Sequence, residues 1–216
     1  MQNTIDVVVA FYNEDLTWLM TPIHTGVLAD YVVLYCKGPN DPPKYIADRC
    51  KRVVKLPNVG REGHTYLHHI INNWDSLADN TVFFQGKVDD HSTYMEPIEK
   101  YVKNQQMFFG RMFGTTDLHK PIQHFGIWLE KLQDGRLRKA RDHASPQQWI
   151  EQVWKITIPT NTVCPVVWGA NFAVHKSYIH RIKKECYEQA YQYLNDHVDP
   201  EEGHFQERTW AILFTH

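Results

Sequence analysis

Residues 5–11 read Ile-Asp-Val-Val-Val-Ala-Phe, a nearly unbroken β-branched and apolar run. A strand that alternates apolar and polar side chains can rest with one face in water. A run like this one must be covered on both faces, the condition met in a parallel sheet with helices on each side. The pattern recurs at Tyr31 to Tyr35 (YVVLY), at Arg52 to Leu56 and at Thr81 to Phe84 (TVFF). Helical stretches fall between these runs: a short one through Leu16, Trp18 and Leu19, another near Lys44 to Cys50, and a third from about His64 to Trp74. Strand and helix in alternation predict an α/β domain with a mainly parallel central sheet flanked by helices. Right-handed crossovers then set the strand C-termini on one edge, where open α/β sheets bind ligands.

The second half is less regular. Met95 to Asn104 reads as helix, Met107 to Met112 and Phe125 to Leu129 as strands, and the charged stretch Lys131 to His143 as an exposed hairpin or loop. Ser145-Pro146-Gln147-Gln148 carries a helix start, with Ser as N-cap and Pro in the first position. Val163 to Trp168 and Asn171 to Val174 read as further strands. A long amphipathic helix is predicted from Lys176 to about Asn195, with Ile179, Ile182, Cys186 and Ala190 on one stripe, and a final helix from His204 to Phe214.

The chain has 216 residues, the length of one domain, and shows no repeat or low-complexity linker. A single domain over residues 1–216 is expected, as a whole protein or as a piece fused to others. A formal net charge of -2 gives no general reason to expect nucleic-acid binding. No apolar run approaches about 18 residues, so no membrane span is predicted. The start, Met-Gln-Asn-Thr-Ile-Asp, lacks the basic and then apolar pattern of a signal peptide, which points to the cytoplasm. Cys36, Cys50, Cys164 and Cys186 show no CxxC spacing and read as free thiols of a reducing compartment.

Several groups near predicted strand ends could carry chemistry. Phe11, Tyr12 and Asn13 close the first strand; the aromatic pair could stack on a base and the Asn could bond its edge, or the segment is a plain turn. Asn58-Val59-Gly60-Arg61-Glu62-Gly63 precedes a helix, where backbone N–H groups and Arg61 favour an anion; the alternative is a tight connection. It has neither the Walker A ending nor GxGxxG. Asp89, Asp90 and His91 follow the fourth strand and suit a hard divalent cation such as Mn²⁺ or Mg²⁺, or simply cap the next helix. His64 and His68 have zinc-compatible spacing but no third ligand in view, so a structural role is the better reading. Lys131, Arg136, Arg138, Lys139 and Arg141 form a basic cluster whose default is a solvated loop. Glu201, Glu202, His204 and Glu207 gather at the last helix, where a carboxylate could serve as base or nucleophile, or only complement the macrodipole.

Taken together, these segments resemble a GT-A glycosyltransferase. VVVAFYNED resembles that fold's opening strand and base-binding loop. LPNVGREGHTYLHHI resembles its Asn-x-Gly segment and helix, TVFFQGKVDDH occupies the place of its strand and Asp-x-Asp motif, and WGANFAV followed later by ERTW resembles its acceptor-side strand and acidic helix. The chain is also similar to the amino-terminal domain of a chlorella-virus glycosyltransferase. The resemblance implies a GT-A-like, Rossmann-like domain that moves a hexose or deoxyhexose from a UDP-sugar donor to a glycan acceptor, in a host cytoplasm if the chain is viral. It implies that Phe11, Tyr12, Asn13, Lys37, Asn58 and Arg61 hold the nucleotide-sugar, that Asp89, with Asp90 or His91, holds Mn²⁺ or Mg²⁺, and that Glu207 and His204 face the reacting carbon or the acceptor. Gln85 and Lys87 stand where a strict Asp-x-Asp would fall. The rival readings are a non-catalytic nucleotide-sugar-binding module and a nucleotidyltransferase; the first loop, Tyr12-Asn13-Glu14-Asp15, lacks the glycine-rich basic character of the latter.

Overall fold

The computed structural model describes residues 4–23, 26–88, 98–103, 108–110, 115–116, 118, 127–159, 162 and 164–215. Its strands are β1 (Ile5–Phe11), β2 (Pro22–Ile23), β3 (Gly26–Val27), β4 (Val32–Cys36), β5 (Arg52–Lys55), β6 (Asn80–Gln85), β7 (Phe108–Phe109), β8 (Thr115–Thr116), β9 (Cys164–Pro165) and β10 (Phe172–His175). Its α-helices are α1 (Lys44–Ala47), α2 (Arg61–Asn72), α3 (Ile98–Val102), α4 (Ile127–Gln133), α5 (Pro146–Val153), α6 (Lys176–Ile179), α7 (Lys184–Tyr193) and α8 (Glu201–Thr215).

Six strands form the central sheet, in the order β5-β4-β1-β6-β10-β7. β1 pairs in parallel with β4 and β6, and β4 in parallel with β5; β10 runs antiparallel to both β6 and β7. This is a mixed α/β domain with a mainly parallel sheet flanked by helices. Side chains alternate across a strand, so each buried run feeds two cores. Val8 and Ala10 of β1, Tyr35 of β4, Phe83 of β6 and Phe172 of β10 face one core, shared with Tyr66 of α2, Trp149 of α5 and Trp210 of α8. Val7, Val9 and Phe11 face the other, with Leu34, Phe84, Ile46 and Tyr101. This two-sided burial is why the β1 run contains so little polarity.

The four parallel strands fall within a residue of their predicted spans, and Ser145 caps α5 by accepting the Gln148 N–H at 3.3 Å. Other expectations need correction. Residues 127–129 are the first turn of α4, not part of a strand. The predicted strand at Val163 to Trp168 is confined to β9, and Trp168–Ala170 forms a 3-10 turn. The long helix from Lys176 is broken into α6 and α7. At the break the Ile179 carbonyl accepts both the Ile182 N–H at 3.3 Å and the Tyr187 hydroxyl at 3.0 Å. The amphipathic stripe survives the break, with Ile179, Cys186 and Ala190 buried.

The basic stretch is a largely exposed loop after Gln133, with Arg136, Lys139 and Arg141 open to solvent, but it is anchored at points the sequence reading did not foresee. Leu137 and His143 are buried, the Arg138 guanidinium lies 3.2 Å from Glu202, and the Ala140 and Arg141 N–H groups donate to Glu201 and Glu202 at 2.9 Å. The first turn of α8, begun three residues earlier than predicted, is thus buried and held by the connection that precedes α5. Among the described residues no helix is long and apolar enough to cross a membrane.

Candidate functional site

Counted by their order within the sheet, the strands run 3-2-1-4-6-5. The chain builds outward from β1 to β4 and β5, then crosses to the other side at β6. Loops leaving β1 and β6 therefore diverge, and the crevice between them is where open α/β sheets bind ligands. A cleft of about 220 Å³ lies there. Its walls come from the C-terminal ends of all four parallel strands: Ala10, Phe11, Tyr12 and Glu14 after β1, Lys37 after β4, Asn58, Arg61 and Glu62 after β5, and Gln85 and Gly86 after β6.

Each wall has a local cause. Glu14 folds back and accepts the Tyr12 N–H at 2.7 Å and the Asn13 N–H at 3.0 Å, so the loop closes on itself and leaves the Tyr12 ring 46% exposed. The loop also lies hard against Gly38: a Cβ there would sit 1.6 Å from the Tyr12 carbonyl oxygen. Asn13 stands beside the cleft rather than in its lining, and its Oδ1 accepts from Asn40 at 2.8 Å. Lys37 is buried; its ammonium donates to the Val59 carbonyl at 2.5 Å and to the Arg61 carbonyl. Burial pulls its pKa down to about 8, with Glu62 opposing and Arg61 assisting that fall.

Gly60 and Arg61, which begin α2, are both left-handed, with φ of +60° and +52°. The Arg61 guanidinium is 3.6 Å from Glu62 and 3.4 Å from Asp199. Burial disfavours its charge, but Glu62, Asp199 and Glu207 outweigh that and hold it firmly protonated.

Across the cleft, Gln85 donates to the Gly169 carbonyl at 2.6 Å, and the Gly169 N–H donates to Glu207 at 2.8 Å. Glu207 and the terminal Thr215 are the residues of α8 that are not buried. A helix otherwise sunk in the core thus brings one carboxylate, 15% exposed, to within two hydrogen bonds of the cleft-lining Gln85, beside Arg208, whose guanidinium stacks 4.8 Å above the Trp168 ring. His204, the other residue predicted to face a ligand, is buried, and its Nε2 is 2.9 Å from Asp199. Its contact is with the residue that holds Arg61.

Of the predicted binding residues, Phe11, Tyr12, Lys37, Asn58 and Arg61 come together in one lining, from segments up to fifty positions apart in sequence. Glu14, Glu62, Gln85 and Asp199 belong to the same constellation without having been predicted. Asp89, Asp90 and His91 lie outside the described residues. The carboxylates in the described lining, Glu14 and Glu62, are engaged with backbone N–H groups and with Arg61, and among the described residues no three metal-ligating side chains gather. His64 and His68 are occupied otherwise: His64 stacks on Tyr191 at 4.6 Å and His68 approaches the Tyr191 hydroxyl at 3.5 Å.

Residues 7–216 match the family described as Protein of unknown function (DUF3431). The chain belongs to this family. No curated protein matches it. Among solved structures it is similar to a CMP:2-keto-3-deoxy-manno-octonic acid synthetase complexed with CTP, at 11% identity over 88% of this chain and 82% of that one, with a TM-score of 0.23. At that score the likeness bears on neither fold nor function.

Proposed function

We propose that this DUF3431 protein is a cytoplasmic, GT-A-like glycosyltransferase that binds a UDP-sugar in the switch-point cleft and transfers its hexose or deoxyhexose to a glycan acceptor. The observation that carries the reading is the lining itself: an exposed aromatic ring at the end of β1 and two cations, Lys37 and Arg61, all converging on the crevice between diverging loops. Tyr12 would stack on the base, Asn13 and Asn58 would bond its edge or the ribose, and Lys37 and Arg61 would meet the diphosphate. A divalent cation, Mn²⁺ or Mg²⁺, held by Asp89 with Asp90 or His91 would neutralise charge on the departing diphosphate. Glu207 would face the reacting carbon or the acceptor hydroxyl. His204, buried, would act on the site through Asp199.

A second reading, a nucleotide-sugar-binding module without catalysis, is favoured by one feature: the carboxylates of the described lining are already engaged. The test separating them is UDP release from UDP-glucose and related donors with Mn²⁺ and mixed oligosaccharide acceptors. The glycosyltransferase reading expects turnover that falls at least tenfold in Asp89→Ala and in Glu207→Gln. Tight UDP binding without any release supports the module instead.

A further inference from the structure

Arg61 occupies a backbone conformation that L side chains rarely adopt, directly after a left-handed glycine. Such a conformation persists only where its surroundings over-determine it, and it concentrates at functional sites. Here the surroundings are three consecutive residues of the connection between α7 and α8. The Gly60 N–H donates to the His197 carbonyl at 2.7 Å, the Arg61 N–H to the Val198 carbonyl at 3.3 Å, and the Arg61 Nη1 to the Asp199 carboxylate at 3.4 Å. From the opposite side the Lys37 ammonium binds the Val59 and Arg61 carbonyls.

Asp199 is fixed in its turn. Its Oδ1 is 2.9 Å from the buried His204 Nε2, and its Oδ2 is 3.9 Å from Lys131. The Asp199 side chain is 14% exposed and the Arg61 side chain 32%. The acid is therefore nearly enclosed, while Arg61 is more open and lines the cleft. A guanidinium carries five N–H donors, so one held at an edge by a carboxylate keeps others for a ligand.

We infer that Asp199 is a positioning residue of the cleft, orienting the Arg61 guanidinium toward the phosphates of the donor. The inference rests on reading the cleft as a nucleotide-sugar site. It also gives a sign that charge alone would reverse. An acid next to an anion site repels the anion, so if Asp199 were only a charge, neutralising it would tighten binding. If it positions Arg61, neutralising it loosens binding.

The experiment is calorimetric titration of the intact chain with UDP and with uridine. In the expected result, Asp199→Asn weakens UDP binding about tenfold and leaves uridine binding unchanged. Arg61→Ala weakens UDP binding as well, and adding Asp199→Asn to it costs nothing further, because the double-mutant cycle then shows one shared interaction. Asp199→Glu, which keeps the charge and moves it by one methylene, also weakens UDP binding and serves if the Asn variant does not fold. UDP binding by Asp199→Asn equal to or tighter than wild type overturns the inference while leaving the donor site standing. Wild-type protein that binds neither UDP nor uridine overturns the donor-site reading and the inference with it.

Discussion

At the scale of single residues, the site depends on backbone that only certain side chains permit. Gly60 has φ of +60°, and a Cβ on it would lie 2.2 Å from the Leu194 carbonyl oxygen. Gly60→Ala is expected to cost at least ~2 kcal/mol, from left-handed strain of ~1–2 kcal/mol plus the clash, and to lower Tm by about 4–8 °C. Gly135 is the control. Its φ is +76° but nothing lies within 4 Å, so Gly135→Ala carries strain alone and about half that loss. Equal losses in a thermal melt would show that the contact with Leu194 is not what holds the start of α2. The residues read from sequence as ligand contacts were those adjoining strand ends, since strand position can be inferred from hydrophobic runs. Asp199 was not legible: it lies 138 positions from Arg61, and only the folded chain joins them. Glu14 sat in plain view, but its part, bonding back to two N–H groups, depends on the closed form of its loop.

At the scale of elements, α2 packs its histidine face into the domain rather than onto a metal. His64 and His69 are buried, and burial holds them neutral, lowering their pKa from 6.5 to about 3 and about 4. For His64, Lys37 adds to that fall and the bond to Asn195 opposes it. Because the folded values are depressed, the unfolded chain takes up protons below pH 6.5 that the folded chain does not. Stability is therefore present in full above that pH and falls as the solution is acidified. By about pH 4.5 His64 alone should cost ~3 kcal/mol, and His64→Gln should flatten the loss between about pH 7 and 4.5 in urea unfolding. An unchanged acid limb would mean that this ring is not the source. The same scale shows where periodicity misleads. The stripe from Ile179 to Ala190 is genuine, yet the helix is broken in two between Ile179 and Lys184, and a tyrosine hydroxyl from α7 bonds a carbonyl at the break. The apolar residues 127–129, short enough to read as strand, lead instead into helix through Gln133. The basic run is largely surface, as it reads, but its anchoring to Glu201 and Glu202 was not legible because those partners are some sixty positions away.

At the scale of the whole molecule, the parallel half of the sheet was readable and its order was not. Four buried runs separated by helices imply parallel strands, but nothing in them states that β6 returns to pair with β1 or that antiparallel β10 follows it. That order decides the site, because it sets the loops after β1 and β6 apart and opens the cleft between them. Residues from all four strand ends then meet in a volume of about 220 Å³, with cations and an exposed tyrosine among them. A nucleotide-sugar held in this cleft is what the proposed function requires. The most direct test is a thermal-shift panel of UDP, UDP-sugars and other nucleotides, each with and without Mn²⁺. A ligand bound to the folded state alone at a hundredfold excess over its Kd stabilises by about 2.7 kcal/mol, enough to raise Tm by roughly 5–10 °C in a chain of this size. Such a rise is expected for UDP and UDP-sugars, larger with Mn²⁺ and lost in Arg61→Ala. No rise with any nucleotide, with or without the metal, would contradict it.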